Sequence, residues 1–112
     1  MNIKRYTEPA YGHINEDAIA AFRHPTDSSL LMCALADGQG GRPGGGAAAQ
    51  NAVRLCLENA STYSPAKLID LHTWVSICEA IDRQVCGIPE AGFTTLIGLT
   101  VSSAFVAGAS SG

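Results

Sequence analysis

Apolar positions along the chain follow two rhythms. "AIAAF" (Ala18 to Phe22) and "LLMCALA" (Leu30 to Ala36) are short unbroken apolar runs. The "RHPTDSS" between them carries Pro25, Asp27 and two serines, a turn composition. The pattern predicts an antiparallel hairpin, its second strand buried on both faces because no polar residue alternates into it. Further on the rhythm lengthens. Ala49, Ala52, Val53, Cys56, Leu57 and Ala60 recur at helical spacing and form one apolar stripe. Ser64-Pro65 then supplies an N-cap and a proline at the first helical position. The helix it opens carries Leu68, Leu71, Val75, Cys78, Ile81 and Val85 on one face and stops by Gly87-Ile88-Pro89. "GFTTLIGLTV" (Gly92 to Val101) is rich in β-branched residues and reads as a strand, Ser102-Ser103 turns it, and "AFVAGA" returns. Strands at both ends with helices between them predict a layered α/β arrangement.

Composition narrows the function classes. The chain has 112 residues, 46% hydrophobic and 15% charged, as expected of one globular domain. Its net charge of −3, with seven Lys and Arg, argues against a nucleic-acid partner, which needs clustered basic charge. The apolar runs are too short to span a bilayer, and "MNIKRYTEPAYGH" lacks the apolar core of a signal peptide. Neither a membrane partner nor export is therefore expected. Cys33, Cys56, Cys78 and Cys86 contain no C-x-x-C pair, so free thiols and a reducing, cytoplasmic setting are expected rather than a zinc site.

Six of the 12 glycines lie in "LADGQGGRPGGGAAAQNAV" (Leu35 to Val53). Such a cluster means either a close backbone approach to a ligand or a slack linker. A dinucleotide fingerprint fails because Pro43 occupies its third glycine position, and a P-loop fails because no lysine lies between Lys4 and Lys67. What remains is Asp37 at the exit of a buried strand, with Gly38 behind it to turn the chain and present its carbonyl. Carboxylate and carbonyl oxygens together suit Mg²⁺ or Mn²⁺. "NED" (Asn15, Glu16, Asp17) precedes the first strand of the hairpin, and that strand's start lies beside the second strand's exit, so Glu16 or Asp17 can approach Asp37. On these residues alone, turn-forming aspartates and cation ligands both stay open.

"NEDAIAAF", "LLMCALADGQGG", the alanine-rich helix, "GFTTLIGLTV" and "AFVAGASSG", in that order, resemble the N-terminal half of a protein phosphatase 2C domain. That family consists of metal-dependent protein phosphatases. The resemblance implies an α-β-β-α sandwich with antiparallel sheets, an α+β fold, represented here by two helices packed on a sheet. It implies hydrolysis of phosphoserine or phosphothreonine in a protein substrate by water activated at two Mg²⁺ or Mn²⁺ ions. Asp37 then resembles the aspartate that bridges the metals, and Gly38 the glycine whose carbonyl binds the second. Glu16 and Asp17 match the acidic pair that serves that second metal.

The chain departs from the family at three places. The phosphate-binding arginine before N/E-D is missing, with Gly12 near its position; His13 is one substitute, and Arg5 and Arg42 are remoter ones. Gln39 stands where many relatives carry a histidine, so that candidate acid is absent. The family's next residue after Gly112 is the aspartate of G-D-S, so residues 1–112 are expected to be an N-terminal half-domain, inactive alone and self-associating as a homodimer. A non-catalytic regulatory or binding module on the same fold is the alternative, and a small structural α/β domain is the plainest one.

Overall fold

The computed structural model describes residues 2–9, 14–39, 44–87 and 92–112. Two strands, β1 (Asp17–His24) and β2 (Asp27–Asp37), are followed by helices α1 (Gly45–Ala60) and α2 (Leu71–Cys86), and then by strands β3 (Leu96–Val101) and β4 (Val106–Ser111). The strands form one antiparallel sheet in the order β1-β2-β3-β4. This is the expected α+β arrangement, with both helices against the same sheet: α1 covers β1 and β2, and α2 covers β4 and β3.

The sheet's two faces differ in chemistry. Met32, Ala34 and Ala36 of β2 alternate toward the helices and join Ala48, Ala52, Cys56, Trp74, Ile77 and Ile81 in the core. Small strand residues let the helices sit close. A Cβ at Gly98 would come within 2.7 Å of the Trp74 ring and 3.0 Å of the Cys56 sulfur. The Trp74 indole N–H lies 3.0 Å from both the Leu68 carbonyl and the Thr100 hydroxyl, which satisfies the polar atoms of this fully buried group.

The expectation that β2 is buried on both faces holds only at Leu30, Leu31 and Met32 and fails further along. Leu35 is 43% exposed, and Ile97, its register partner on β3, is 42% exposed. Both helices lie on the other face, so no helix covers the sheet around Leu35 and Ile97 among the described residues.

The second helix also starts later than Ser64-Pro65 predicts. Residues 64–70 form successive turns, with the amides of Lys67 and Leu68 bonded back to the Ser64 carbonyl. Asp70 is extended (φ −94°, ψ 123°), and its carboxylate accepts the His72 amide, so Asp70 is the true N-cap. The buried face is set by Trp74, Ile77, Cys78, Ile81 and Val85, while Leu71 and Val75 of the predicted stripe are exposed.

His24, at the edge of the predicted turn, is buried. Its Nδ1 accepts the Thr26 amide at 3.1 Å, which leaves Nε2 to donate to the Tyr63 carbonyl at 2.8 Å. All four cysteines are free: Cys56 and Cys78 are buried, Cys33 is half-buried and Cys86 is exposed. Burial pushes the Cys56 thiol up to about 12, with the neighbouring Cys78 adding to the shift.

Candidate metal centre

The hairpin brings the ends of β1 and β2 together. Asp17, the first residue of β1, lies directly opposite Asp37, the last of β2. Directly opposed residues of an antiparallel pair point to the same face with Cβ atoms about 5 Å apart. The face they share is the one that also carries Leu35 and Ile97, away from the helices. Partial desolvation raises the Asp17 carboxyl above its usual range, reinforced by a hydrogen bond with Asp37 and by repulsion from Asp37 and Glu16. Two like charges facing each other across a strand pair are a local cost that a cation would remove.

Glu16 precedes Asp17 by one residue, and strand alternation turns it to the opposite face. Its carboxylate lies against the start of α1, where a Cβ on Gly45 would collide with it. Helix α1 begins at Gly44 with φ 84° and no side-chain cap, so the Glu16 carboxylate supplies negative charge at that N-terminus. Its backbone carbonyl accepts the Gly38 amide at 3.0 Å. Among the described residues no three His, Cys, Asp or Glu side chains are placed to share one ion. The structure thus brings Asp17 and Asp37 together and holds Glu16 apart.

Gly38 is needed for close approach rather than for a sharp turn. A Cβ there would meet the carbonyls of Gly45 and Glu16, both backbone atoms that cannot swing aside. Among the described glycines only Gly44 has a left-handed φ. The described part of the glycine stretch is therefore a packed junction of β1, β2 and α1, not a slack linker. His13 and Arg42, the candidate phosphate ligands, lie outside the described residues, and Arg5 is exposed.

Two residues assigned only a strand role by their propensity sit at the same junction. The Asp37 amide donates to the Thr95 hydroxyl at 3.2 Å, and the Thr95 amide donates to the Asp37 carbonyl at 3.0 Å. The Thr94 hydroxyl lies 3.0 Å from the Asp37 carbonyl and 2.9 Å from that of Thr95, and donates to one at a time. The next residue is tied as well, the Gln39 amide donating to the Phe93 carbonyl at 2.8 Å. No spacing rule in the sequence marks these contacts, because they join positions more than 50 residues apart. An open groove of about 800 Å³ runs from Asp37 and Gly38 past Thr94 and Thr95 to Glu79 and Asp82 of α2.

The donor set is chemically suited to a hard divalent cation, since it consists of two opposed carboxylates beside a glycine backbone that admits no side chain. Two carboxylates are too few for a two-cation centre. None of the described helices is long and apolar enough to cross a membrane. Compared with known proteins, the chain matches the model of the family described as protein phosphatase 2C over residues 9–109. No curated protein and no solved structure was found to match it.

Proposed function

The chain belongs to the protein phosphatase 2C family, and on that premise we propose that it carries the Asp37 half of a Mg²⁺- or Mn²⁺-dependent phosphoserine/phosphothreonine phosphatase centre. The observation that carries the reading is the register pairing of Asp17 with Asp37 at the exit of β2. Asp37 and Asp17 would hold a divalent cation through their carboxylates, with the Gly38 carbonyl as a third donor, while Glu16 stays on the α1 side. When bound, such a cation neutralises the facing carboxylates and lowers the pKa of its water. The residues themselves have simpler tasks. Asp37 and Asp17 fix the position of charge on the open face, and the tied backbone from Asp37 to Gln39 keeps it there without reorganisation. Four free cysteines support a reducing, cytoplasmic setting.

A second reading, a non-catalytic regulatory or binding module, is favoured by one feature. Glu16 faces α1 rather than the aspartates, so few carboxylates converge. Titration of the 112-residue chain with Mn²⁺, followed by the loss of its free-ion EPR signal, separates the two. The phosphatase reading expects saturable binding that Asp37→Asn removes, with turnover of a phosphate ester near background because one cation's donors are insufficient. A chain that binds Mn²⁺ no better than Asp37→Asn would favour the module. Metal-dependent turnover abolished by Asp37→Asn would overturn the expectation of inactivity and would require a further source of ligands.

A further inference from the structure

Along β2 the regular ladder to β3 runs from Leu31 opposite Val101 to Leu35 opposite Ile97. Two residues later, at Asp37, the pattern changes: its amide is met by the side-chain oxygen of Thr95 rather than by a backbone carbonyl. The Thr95 amide returns a bond to the Asp37 carbonyl, closing a two-point clasp around one peptide unit. The Thr94 hydroxyl reaches that same carbonyl, and the next residue, Gly38, forms an isolated bridge with Thr94.

We propose that Thr95 is the positioning residue of Asp37: its hydroxyl anchors the Asp37 amide, so the carboxylate stays opposite Asp17 and in place for a cation. This rests on the reading of Asp37 as a cation ligand. Asp37 ends its strand, is exposed, and is followed by the glycine-rich stretch, so the ladder alone would leave its peptide free to fray. A side chain at this position therefore needs an oxygen acceptor, not merely a β-branched shape. Valine has the shape of threonine without the acceptor, and serine has the acceptor without the methyl group. Because Thr95 is itself exposed, neither change opens a cavity in the core.

The test compares Thr95→Val and Thr95→Ser in the 112-residue chain. Amide exchange at Asp37 is read by NMR and Mn²⁺ affinity by EPR, with Trp74 fluorescence as the check on folding. Loss of one ordinary hydrogen bond corresponds to a change of about fivefold. Thr95→Val should speed Asp37 exchange and weaken Mn²⁺ binding by about that factor, while Thr95→Ser stays near wild type in both. If Thr95→Val loses its folding transition, Thr95→Ala takes its place as the variant without the hydroxyl. Unchanged Asp37 exchange in the folded variant overturns the proposal, and so does faster exchange with undiminished Mn²⁺ affinity. If the wild-type chain binds no Mn²⁺, the cation reading fails. The difference in exchange between the Val and Ser variants then decides whether Thr95 holds Asp37.

Discussion

The opposed pair Asp17 and Asp37 stands where β1 begins and β2 ends. Facing each other, the two carboxylates work against the fold. Asp17 holds its proton to higher pH in the folded chain than in the unfolded one, through partial desolvation and then the Asp37 contact. The folded state therefore binds more protons between the ordinary aspartate range and the raised value, and stability falls as pH rises through that window. In metal-free buffer at neutral pH, Asp37→Asn should stabilise the chain by a few tenths of a kcal/mol, since both groups are solvent-screened. It should also flatten the acid-side rise in stability. Urea midpoints measured across the acid range check both, and a variant less stable than wild type at neutral pH would mean that the carboxylates support rather than repel each other. At this scale the sequence is informative about Asp37 and Gly38, which follow directly from a strand exit. It is less so about Glu16, whose turn toward α1 is a consequence of strand alternation and of room made by Gly45. Nothing in the sequence marks Thr95, because β-branched propensity alone accounts for it.

At the scale of elements, all four strands and both helices follow from hydrophobic rhythm, because each buries one continuous apolar set. The boundaries are less legible. Ser64-Pro65 has the chemistry of a helix start, yet Asp70 caps α2, and the intervening residues take up turns that seat Leu68 in the core. The phase of α2 then follows Trp74, whose indole needs both a buried slot and a hydrogen-bond acceptor, a demand that a periodicity of aliphatic residues does not reveal. The slot depends on Gly98, over which the indole packs. Gly98→Ala should therefore destabilise by about 1–3 kcal/mol, the usual cost of overpacking. Urea unfolding followed by fluorescence of the single tryptophan measures it directly. A loss below about 0.5 kcal/mol would show that α2 shifts to accommodate the methyl group and that its packing on β3 is loose.

For the whole molecule, the decisive asymmetry is that both helices cover one face of the sheet. β2 is apolar on both sides, so the sequence prepares two buried faces, while the described structure covers one. Leu35, Ile97 and Val106 are each more than 40% exposed, and register places all three on the uncovered side. β4 adds a second unsatisfied feature. Among the described residues it is an edge strand, "VAGASS", without the charge or proline that commonly discourages strand pairing. At the other edge, β1 ends in Arg23 and His24 and begins with Asp17. An edge without charge that runs antiparallel to a copy of itself satisfies its own pairing across a two-fold axis, and that same axis brings two apolar faces near each other. The 112-residue chain should therefore self-associate through β4, burying at least about 1,000 Å² in total. Sedimentation at micromolar concentration should give a mass near twice 11.6 kDa, and Ala107→Lys or Ala109→Pro, which charges or interrupts the edge, should shift it toward the monomer. A compact monomer from the unmodified chain across that concentration range would overturn this expectation, and would mean that β4 and the face carrying Leu35 tolerate water as they stand.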